Sequence, residues 1–333
     1  MKNLLSFEKP IAELQQRIND LEKESLEKNI DLASSIELLK EELKSELQTI
    51  FSNLNRWEKV MVARHPERPH LIDYVKALIP DYLYFCGDRL FREDPAIFGA
   101  MGHIDENNII MLIGHHKGKN TKENIACNFG MANPEGYRKA LRLMRLAEKF
   151  RVPIVCLIDT SGAYPGIEAE EHGQSEAIAV NLREMFSLRV PILAMVTGEG
   201  GSGGALGIGV GDRILMLEHS IYSVISPEGC ASILWRDASK ASLAAEKLKL
   251  TAQDLWAHHL IDGIIPEPVG GAHRDHREMI SQVKDHIQAW LSGLRTSSWD
   301  EDLLQKRYEK FSYLASYQQV KNNLESSLPE QVK

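Results

Sequence analysis

Cysteine is scarce in this chain of 333 residues: Cys86, Cys127, Cys156 and Cys230 stand far apart, with no C-x-x-C pair. That spacing argues against a zinc ribbon and against a disulfide-built secreted scaffold. Long apolar runs are missing too. No stretch of about 18 apolar residues occurs, and the opening MKNLLSFEKP lacks an apolar signal core, so neither a membrane span nor a leader is expected and the protein reads as cytoplasmic. A basic surplus is absent: the net charge is −8, which disfavours non-specific binding to nucleic acid or anionic lipid. No Gly-Lys-Ser/Thr follows any glycine cluster, which excludes a P-loop. What remains is an ordinary soluble composition, 43% hydrophobic and 26% charged, long enough for two domains or one large α/β domain with an appendage.

Glycine, by contrast, is concentrated. The run GEGGSGGALGIGVG, Gly198–Gly211, carries eight glycines in fourteen positions between the apolar stretches Pro191–Val196 and Arg213–Leu217. Glycine inside regular structure costs roughly 0.5–1 kcal/mol relative to Ala, so such a density requires either positive φ or an approach too close for a Cβ. A strand, a short helix and a second strand are expected, with free N–H groups at the helix start able to bind an anion. Three motifs overlap here. Gly198, Gly200 and Gly203 fit the dinucleotide G-x-G-x-x-G, with Glu218 as the ribose acid. Gly200, Ser202 and Gly204 fit the nucleophile elbow G-x-S-x-G. The third possibility is an oxyanion site made by the amides of Gly203 and Gly204 alone. About nine residues separate Gly203 from Arg213, short for a dinucleotide crossover helix. A tight packing turn without chemistry is the remaining alternative.

The rest of the chain reads as alternating helices and buried strands. Ile11, Leu14, Ile18 and Leu21, then Ile36, Leu39, Leu43, Leu47, Ile50 and Leu54, repeat at three and four. They predict a helical hairpin across residues 1–55, broken by the polar Ser25–Asp31. A short helix is expected at Leu71–Ile79, and two strands over Ile97–His115 turning at Asp105–Asn108. Asn133-Pro134-Glu135 opens a helix to Phe150, capped by Asn133, with Tyr137, Leu141, Met144 and Phe150 inward and Arg138, Lys139, Arg142 and Arg145 forming a basic face. Lys117, Lys119 and Lys122 could meet a phosphate-bearing ligand, but solvated side chains are the favoured reading. His115 and His116, adjacent on a strand, make poor joint metal ligands because their side chains point to opposite faces.

A second strand–loop–helix unit repeats the first: Val152–Ile158 leads into Asp159-Thr160-Ser161-Gly162-Ala163-Tyr164-Pro165-Gly166. Two such loops on neighbouring strands face one crevice. Further on, Ser226 is placed to cap a helix beginning at Pro227, with Glu228 at its start as a capping acid or, alternatively, a general base. Cys230 reads as core. Thr251 caps another helix, Ile261–Pro268 a strand, and Arg274–Leu294 a helix. His258, His259, His273 and His276 read as surface or hydrogen-bonding groups rather than metal ligands. An amphipathic tail helix is expected over Asp302–Leu324.

Taken together, PIAELQQRI, ARHPERP, IGHHKGKNTKEN, NFGMANPEGYRKALRLM, IDTSGAYPG, EEHGQSEAIA, VTGEGGSGGALGIGVGD, YSVISPEGCASILW and LIDGIIPEPVGGAHR resemble the carboxyltransferase alpha subunit of bacterial and plastid acetyl-CoA carboxylase, from about Phe7 to Arg307. The resemblance implies an α/β, crotonase-like (ClpP/crotonase) fold with an N-terminal helical hairpin (1–55), a carboxyltransferase domain (56–295) and a helical tail (296–333). It implies transfer of CO₂ from carboxybiotin, on the biotin carboxyl carrier protein, to acetyl-CoA, giving malonyl-CoA for fatty acid synthesis. Implied partners are a homologous beta subunit in an α2β2 tetramer, the carrier and biotin carboxylase, with zinc only on the beta chain and no metal or covalent cofactor here. Gly203 and Gly204 are implied as the backbone oxyanion hole. Gly162, Ala163, Tyr164, Gly201, Ser202, Ala205, Ser226, Glu228 and Gly229 are implied as substrate-binding. Ser161 and His172 depart from the family's usual Pro and Arg.

Overall fold

Alternation inside the apolar strands decides the layering. In β4 (Ile154–Thr160), Ile154, Cys156 and Ile158 join one hydrophobic cluster while Val155 and Leu157 join another. In β5 (Ile192–Gly201), Ile192, Ala194 and Val196 likewise oppose Leu193 and Met195. Successive strand side chains point to opposite faces, so an all-apolar strand must be covered on both sides. The structure, a computed structural model, describes residues 3–294, 299 and 301–314.

Its sheet runs β1 (Leu83–Tyr84), β2 (Ile97–Asp105), β3 (Asn108–His115), β4, β5, β6 (Arg213–Leu217), β8 (Gly263–Ile265), with β7 (Ile221–Ser223) paired to the far end of β5. Pairing is antiparallel from β1 to β3 and parallel from β3 onward.

The hairpin consists of α1 (Lys9–Lys28) and α2 (Ala33–Ser52), with Asn29 in the left-handed region closing α1. Only Ile11, Leu14 and Ile18 of α1 and Phe51 of α2 are buried, and Ile11 and Phe51 pack with Leu54 and Val62. After α3 (Arg56–Ala63), started by the Asn55–Glu58 capping box, α4 (Leu71–Leu78) buries Tyr74 and Val75. Asp105–Asn108 makes the β2–β3 turn, and Asn107 N donates to the Asp105 carboxylate.

Past α5 (Thr121–Ala126), α6 (Pro134–Phe150) departs from expectation in three ways. Asn133 sits at the N-cap position without a side-chain cap; its own amide donates to Asp94 Oδ2. Phe150 is exposed, and Lys139 is fully buried. The first half of α6 is enclosed almost all round, so Lys139 finds its partners inside, on Glu93 and the Asp94 carbonyl.

Next come α7 (Ile167–Glu171), α8 (Gln174–Met185), α9 (Ser202–Leu206), α10 (Pro227–Trp235), α11 (Ala241–Leu248) and α12 (Ala252–Ala257). Thr251 caps α12, Cys230 is buried, and the expected strand at Ile261–Pro268 shortens to β8. The chain ends in α13 (His276–Leu294) and α14 (Glu301–Leu314); the rest of the expected tail helix, to Leu324, lies outside the described residues. Among the described residues no helix is long and apolar enough to cross a membrane.

Candidate functional site

The glycine run does not begin where the sequence placed it. β5 continues through Gly198, Gly200 and Gly201, and only then turns into α9. Close approach, not positive φ, explains these glycines. A Cβ on Gly201 would lie 2.1 Å from the Ser161 carbonyl oxygen, on Gly204 2.3 Å from the Gly162 carbonyl carbon, and on Gly198 2.4 Å from Asp159 Oδ1. The residue with positive φ (50°) is Ser202, at the corner between strand and helix. Gly203 is different: a Cβ there would sit 3.5 Å from Ile178, an ordinary contact.

The two small-residue loops therefore do more than face one crevice; they touch. Thr160 pairs with Gly200 across the sheet, and Thr160 Oγ1 shapes the first loop by accepting from Gly162 N (3.2 Å) and donating to the Gly162 carbonyl (2.7 Å). Gly162 and Ala163 lie directly against Gly204. Gly201, Ser202 and Gly203 are part-exposed, whereas Gly204 is buried and Ala205 is fully buried in the core, so the Ala205 side chain meets no ligand. Tyr164 donates its amide to the Ala132 carbonyl and lays its ring over Gly166. α9 is little more than one turn, so the unpaired amides at its start, rather than a macrodipole, are the available binding groups.

Ser226, Glu228 and Gly229 stand in a third segment. β7 pairs Gly200 with Tyr222 and Gly201 with Ser223, which brings the start of α10 alongside. Ser226 Oγ accepts from Gly229 N at 3.1 Å, the expected cap. Glu228 is paired with Arg64. Burial pushes its carboxyl up, but Arg64 holds it below the ordinary value through bonds of 2.6 and 3.3 Å.

Arg64 belongs to a chain of charges that sequence reasoning missed. Lys117 Nζ donates to Asp159 Oδ1 (2.7 Å) and Glu199 Oε2 (3.2 Å), Arg64 Nε donates to Glu199 Oε1 (2.6 Å), and Arg64 continues to Glu228. Lys117 is thus paired rather than solvated. Burial acts to discharge it, yet Asp159 and Glu199 outweigh burial and raise its pKa. Asp159 is pushed up by burial and brought below the ordinary value by Lys117 and the Glu199 amide. The signal was an acid at the carboxyl end of each of two buried strands, Asp159 after VPIVCLI and Glu199 inside the glycines.

The competing motifs fare unequally. Gly198 and Gly200 lie in a strand, α9 is too short for a crossover helix, and Glu218 is spent accepting from Glu267 N. Ser202 has an elbow-like backbone, but among the described residues no imidazole hydrogen-bonds its hydroxyl. Elsewhere, ligand atoms of Glu8, His65 and His273 converge within 4.8 Å. There, His65 already uses both ring nitrogens, on Asn3 O and Glu67 N, and Glu8 pairs with Arg274 (2.8 Å), so two of the three groups are already engaged by the protein. His276 faces the Glu67 carbonyl. His115 is buried and His116 only partly so.

Against known proteins, residues 4–315 match the family model described as acetyl co-enzyme A carboxylase carboxyltransferase-like. The chain belongs to that family. A carboxyl transferase subunit alpha of acetyl-coenzyme A carboxylase from Methylococcus capsulatus is 52% identical over 95% of this chain and 98% of its own length. The subunit of the same name from Geobacter metallireducens is also 52% identical, over 94% and 98%. Solved structures share the crotonase-type fold at low identity. A Pseudomonas malonate decarboxylase hetero-tetramer gives a TM-score of 0.57 at 12% identity, over 73% of this chain and 95% of that one. Transcarboxylase 12S gives 0.55 at 16%, over 69% of this chain and 43% of that one. Within the family, then, the touching loops after β4 and β5 are this chain's candidate catalytic surface.

Proposed function

We propose that this chain acts as the alpha subunit of an acetyl-CoA carboxylase carboxyltransferase, and that the amides of Gly203 and Gly204 receive the ureido oxygen of biotin as carboxybiotin releases CO₂. The reaction builds negative charge on oxygen twice. Loss of CO₂ leaves the electron pair on biotin, spread onto its ureido oxygen; removal of a methyl proton from acetyl-CoA leaves a thioester enolate. The biotin anion takes that proton at nitrogen, and the enolate carbon bonds to CO₂ to give malonyl-CoA. No side-chain base is required, which agrees with Glu228 being locked to Arg64. Fixed N–H donors suit the developing charge, and one donor is typically worth about 2.7–4 kcal/mol.

The observation that carries this reading is the part-exposed turn Gly201–Gly203, backed rigidly by Gly162 and Ala163. Gly162, Ala163, Tyr164, Gly201 and Ser202 border it, with Ser226, Glu228 and Gly229 beyond. Beside Ser202 lies a cavity of about 300 Å³ with apolar walls including Leu206, Tyr222, Val224 and Phe311, matching a fused-ring ligand carried on an aliphatic arm. In this reading the beta subunit, bearing the zinc, holds the thioester, the assembly is an α2β2 tetramer served by the biotin carrier and biotin carboxylase, and the complex is cytoplasmic. Its three parts are 1–55, 56–295 and 296–333.

Gly203→Val decides the matter, since a Cβ there meets only the Ile178 side chain, at 3.5 Å, and no backbone. In the complex with the beta subunit, carboxyl transfer should fall at least a hundredfold, the loss expected for one donor, while assembly is kept. A Gly203→Val enzyme at wild-type rate would refute the amide site. Ser202→Ala should retain most activity; its loss would restore the serine-nucleophile alternative.

A further inference from the structure

The ion chain beneath the site coincides with a fault in the sheet. Ile158 pairs with Val196, but two residues later Thr160 pairs with Gly200, so β5 spends four residues where β4 spends two. Within that bulge the Glu199 amide donates to Asp159 Oδ1 at 2.9 Å, a side-chain acceptor in place of a β4 carbonyl. The ladder that fixes β4 against β5 elsewhere is thus replaced by one carboxylate. The same Oδ1 receives Lys117 Nζ at 2.7 Å. Lys117 stands just beyond the end of β3, and its stem is seated against Gly130, where a Cβ would lie 2.8 Å from Lys117 Cγ.

We propose that Lys117 is a positioning residue for carboxyl transfer: by clamping Asp159 and Glu199 across the β4–β5 bulge, it sets the two amide loops at their working separation. Each segment bordering the site begins next to one member of the chain. Asp159 precedes the loop of Gly162 and Ala163, Glu199 precedes Gly201–Gly204, and Glu228, reached through Arg64, opens α10. The loops are in contact, with Gly201 against the Ser161 carbonyl and Gly204 against Gly162, so a displacement of a few tenths of an ångström at the bulge is passed to the amides rather than absorbed. Removing the ammonium leaves Asp159 without a counter-charge beside Glu199, which keeps Arg64, and the repulsion between the two carboxylates pushes the strand ends apart.

The inference rests on Gly203 and Gly204 being the amides that meet the ligand. It is tested in the full complex with the beta subunit by steady-state transfer from carboxylated carrier to acetyl-CoA, with rates normalised to assembled complex. Lys117→Met should lower kcat at least thirtyfold, with KM for acetyl-CoA within about twofold. Adding Asp159→Asn should recover at least tenfold of the loss, because the amide oxygen still accepts from Glu199 N while the unpaired charge is gone. Wild-type kcat in Lys117→Met, or a loss that disappears once rates are normalised to assembled complex, would overturn the proposal. So would a double variant no faster than the single. Should Lys117→Met fail to assemble, Asp159→Ala alone decides, since it removes the acceptor for both Lys117 and the Glu199 amide: a tenfold or greater drop in kcat at unchanged KM supports the clamp, and wild-type kcat overturns it. An inactive Gly203→Val alongside a fully active Lys117→Met would remove the clamp and leave the amide site standing; an active Gly203→Val would remove the amide site itself.

Discussion

At the scale of single residues, neighbouring glycines in one motif have unlike reasons to be glycine. Gly201 and Gly204 face carbonyl groups of the opposite loop, which cannot retreat without moving β4, whereas Gly203 faces only the tip of Ile178. Gly203→Ala should therefore leave thermal stability within about 1 kcal/mol of wild type, since Ala is a better helix former than Gly by roughly that amount. Gly204→Val, in contrast, should reduce the yield of folded protein, so inactivity in that variant would say nothing about the ligand. Thermal melts of the isolated chain separate the two. Composition showed that something unusual happens across Gly198–Gly211, and the choice between positive φ and close approach was open. It had to be, because the atoms that forbid a Cβ on Gly198, Gly201 and Gly204 come from residues 159–163, about forty positions away. Only Ser202, an L-residue at positive φ, carries backbone strain here, and no sequence rule singles it out.

Among elements, legibility followed periodicity. The alternating strands and the three-and-four helices are specified locally, by which face must be apolar, and they appeared where expected. What failed was set by packing from outside the element. β5 runs into its glycines because Asp159, Tyr222 and Ser161 crowd it from neighbouring strands and loops. Lys139 is buried because Glu93 and the Asp94 carbonyl lie above α6, which the helix's own pattern does not disclose. α14 shows the same at its strongest. Arg307 is fully buried, donating to both Asp212 oxygens at 2.8 Å and to the carbonyls of Met185, Leu188 and Val190 at 2.6–3.0 Å. Sequence offers this residue as one charge on a polar helix face, yet it ties α14 to the end of α8 and the start of β5. Arg307→Met leaves Asp212 without its counter-charge and three carbonyls without donors. It should cost about 3–5 kcal/mol, and amide exchange in α14 should speed well beyond that in β4. Unchanged protection of α14 would mean that apolar contacts alone hold it.

At the scale of the whole molecule, the long-range charge pairs and the buried imidazoles of His115, His65 and His219, each with its pKa lowered first by burial, set the response to acid. His115 is held neutral by burial, its pKa lowered to about 4. The unfolded chain takes up this proton near pH 6.5 and the folded one only near 4, so stability is lost as pH falls through that window, by on the order of 3 kcal/mol. Glu8 and Glu267 add to the loss at lower pH. Burial raises both, but the partners win, His273 and Arg274 for Glu8 and Arg68 for Glu267, bringing each to about 2. Their contribution is complete above pH 4.5 and disappears toward pH 2. Urea midpoints should decline steadily from pH 7 to 4, and His115→Leu should flatten that decline. An unaltered pH profile in His115→Leu would place the sensitivity elsewhere.

The same scale governs association. The outer face of α10 and the segment before it leave Ile233, Leu234 and Val224 between 62% and 75% exposed, an apolar surface beside the site that water does not favour. Arg64 anchors α10 through Glu228, so any partner pressed on this face bears on the third segment of the site as well. In the proposed assembly the beta subunit approaches where the amides open, beside this face. Ile233→Asp places a charge on that surface without touching the core, because the side chain is already 72% exposed. The isolated chain should melt as wild type, within about 0.5 kcal/mol, while affinity for the beta subunit falls at least tenfold by sedimentation or calorimetry, since a desolvated unpaired carboxylate is costly at an interface. Activity should then return as beta subunit is added in excess. A variant that binds normally would show that the beta chain docks elsewhere and that α10's apolar face serves another contact.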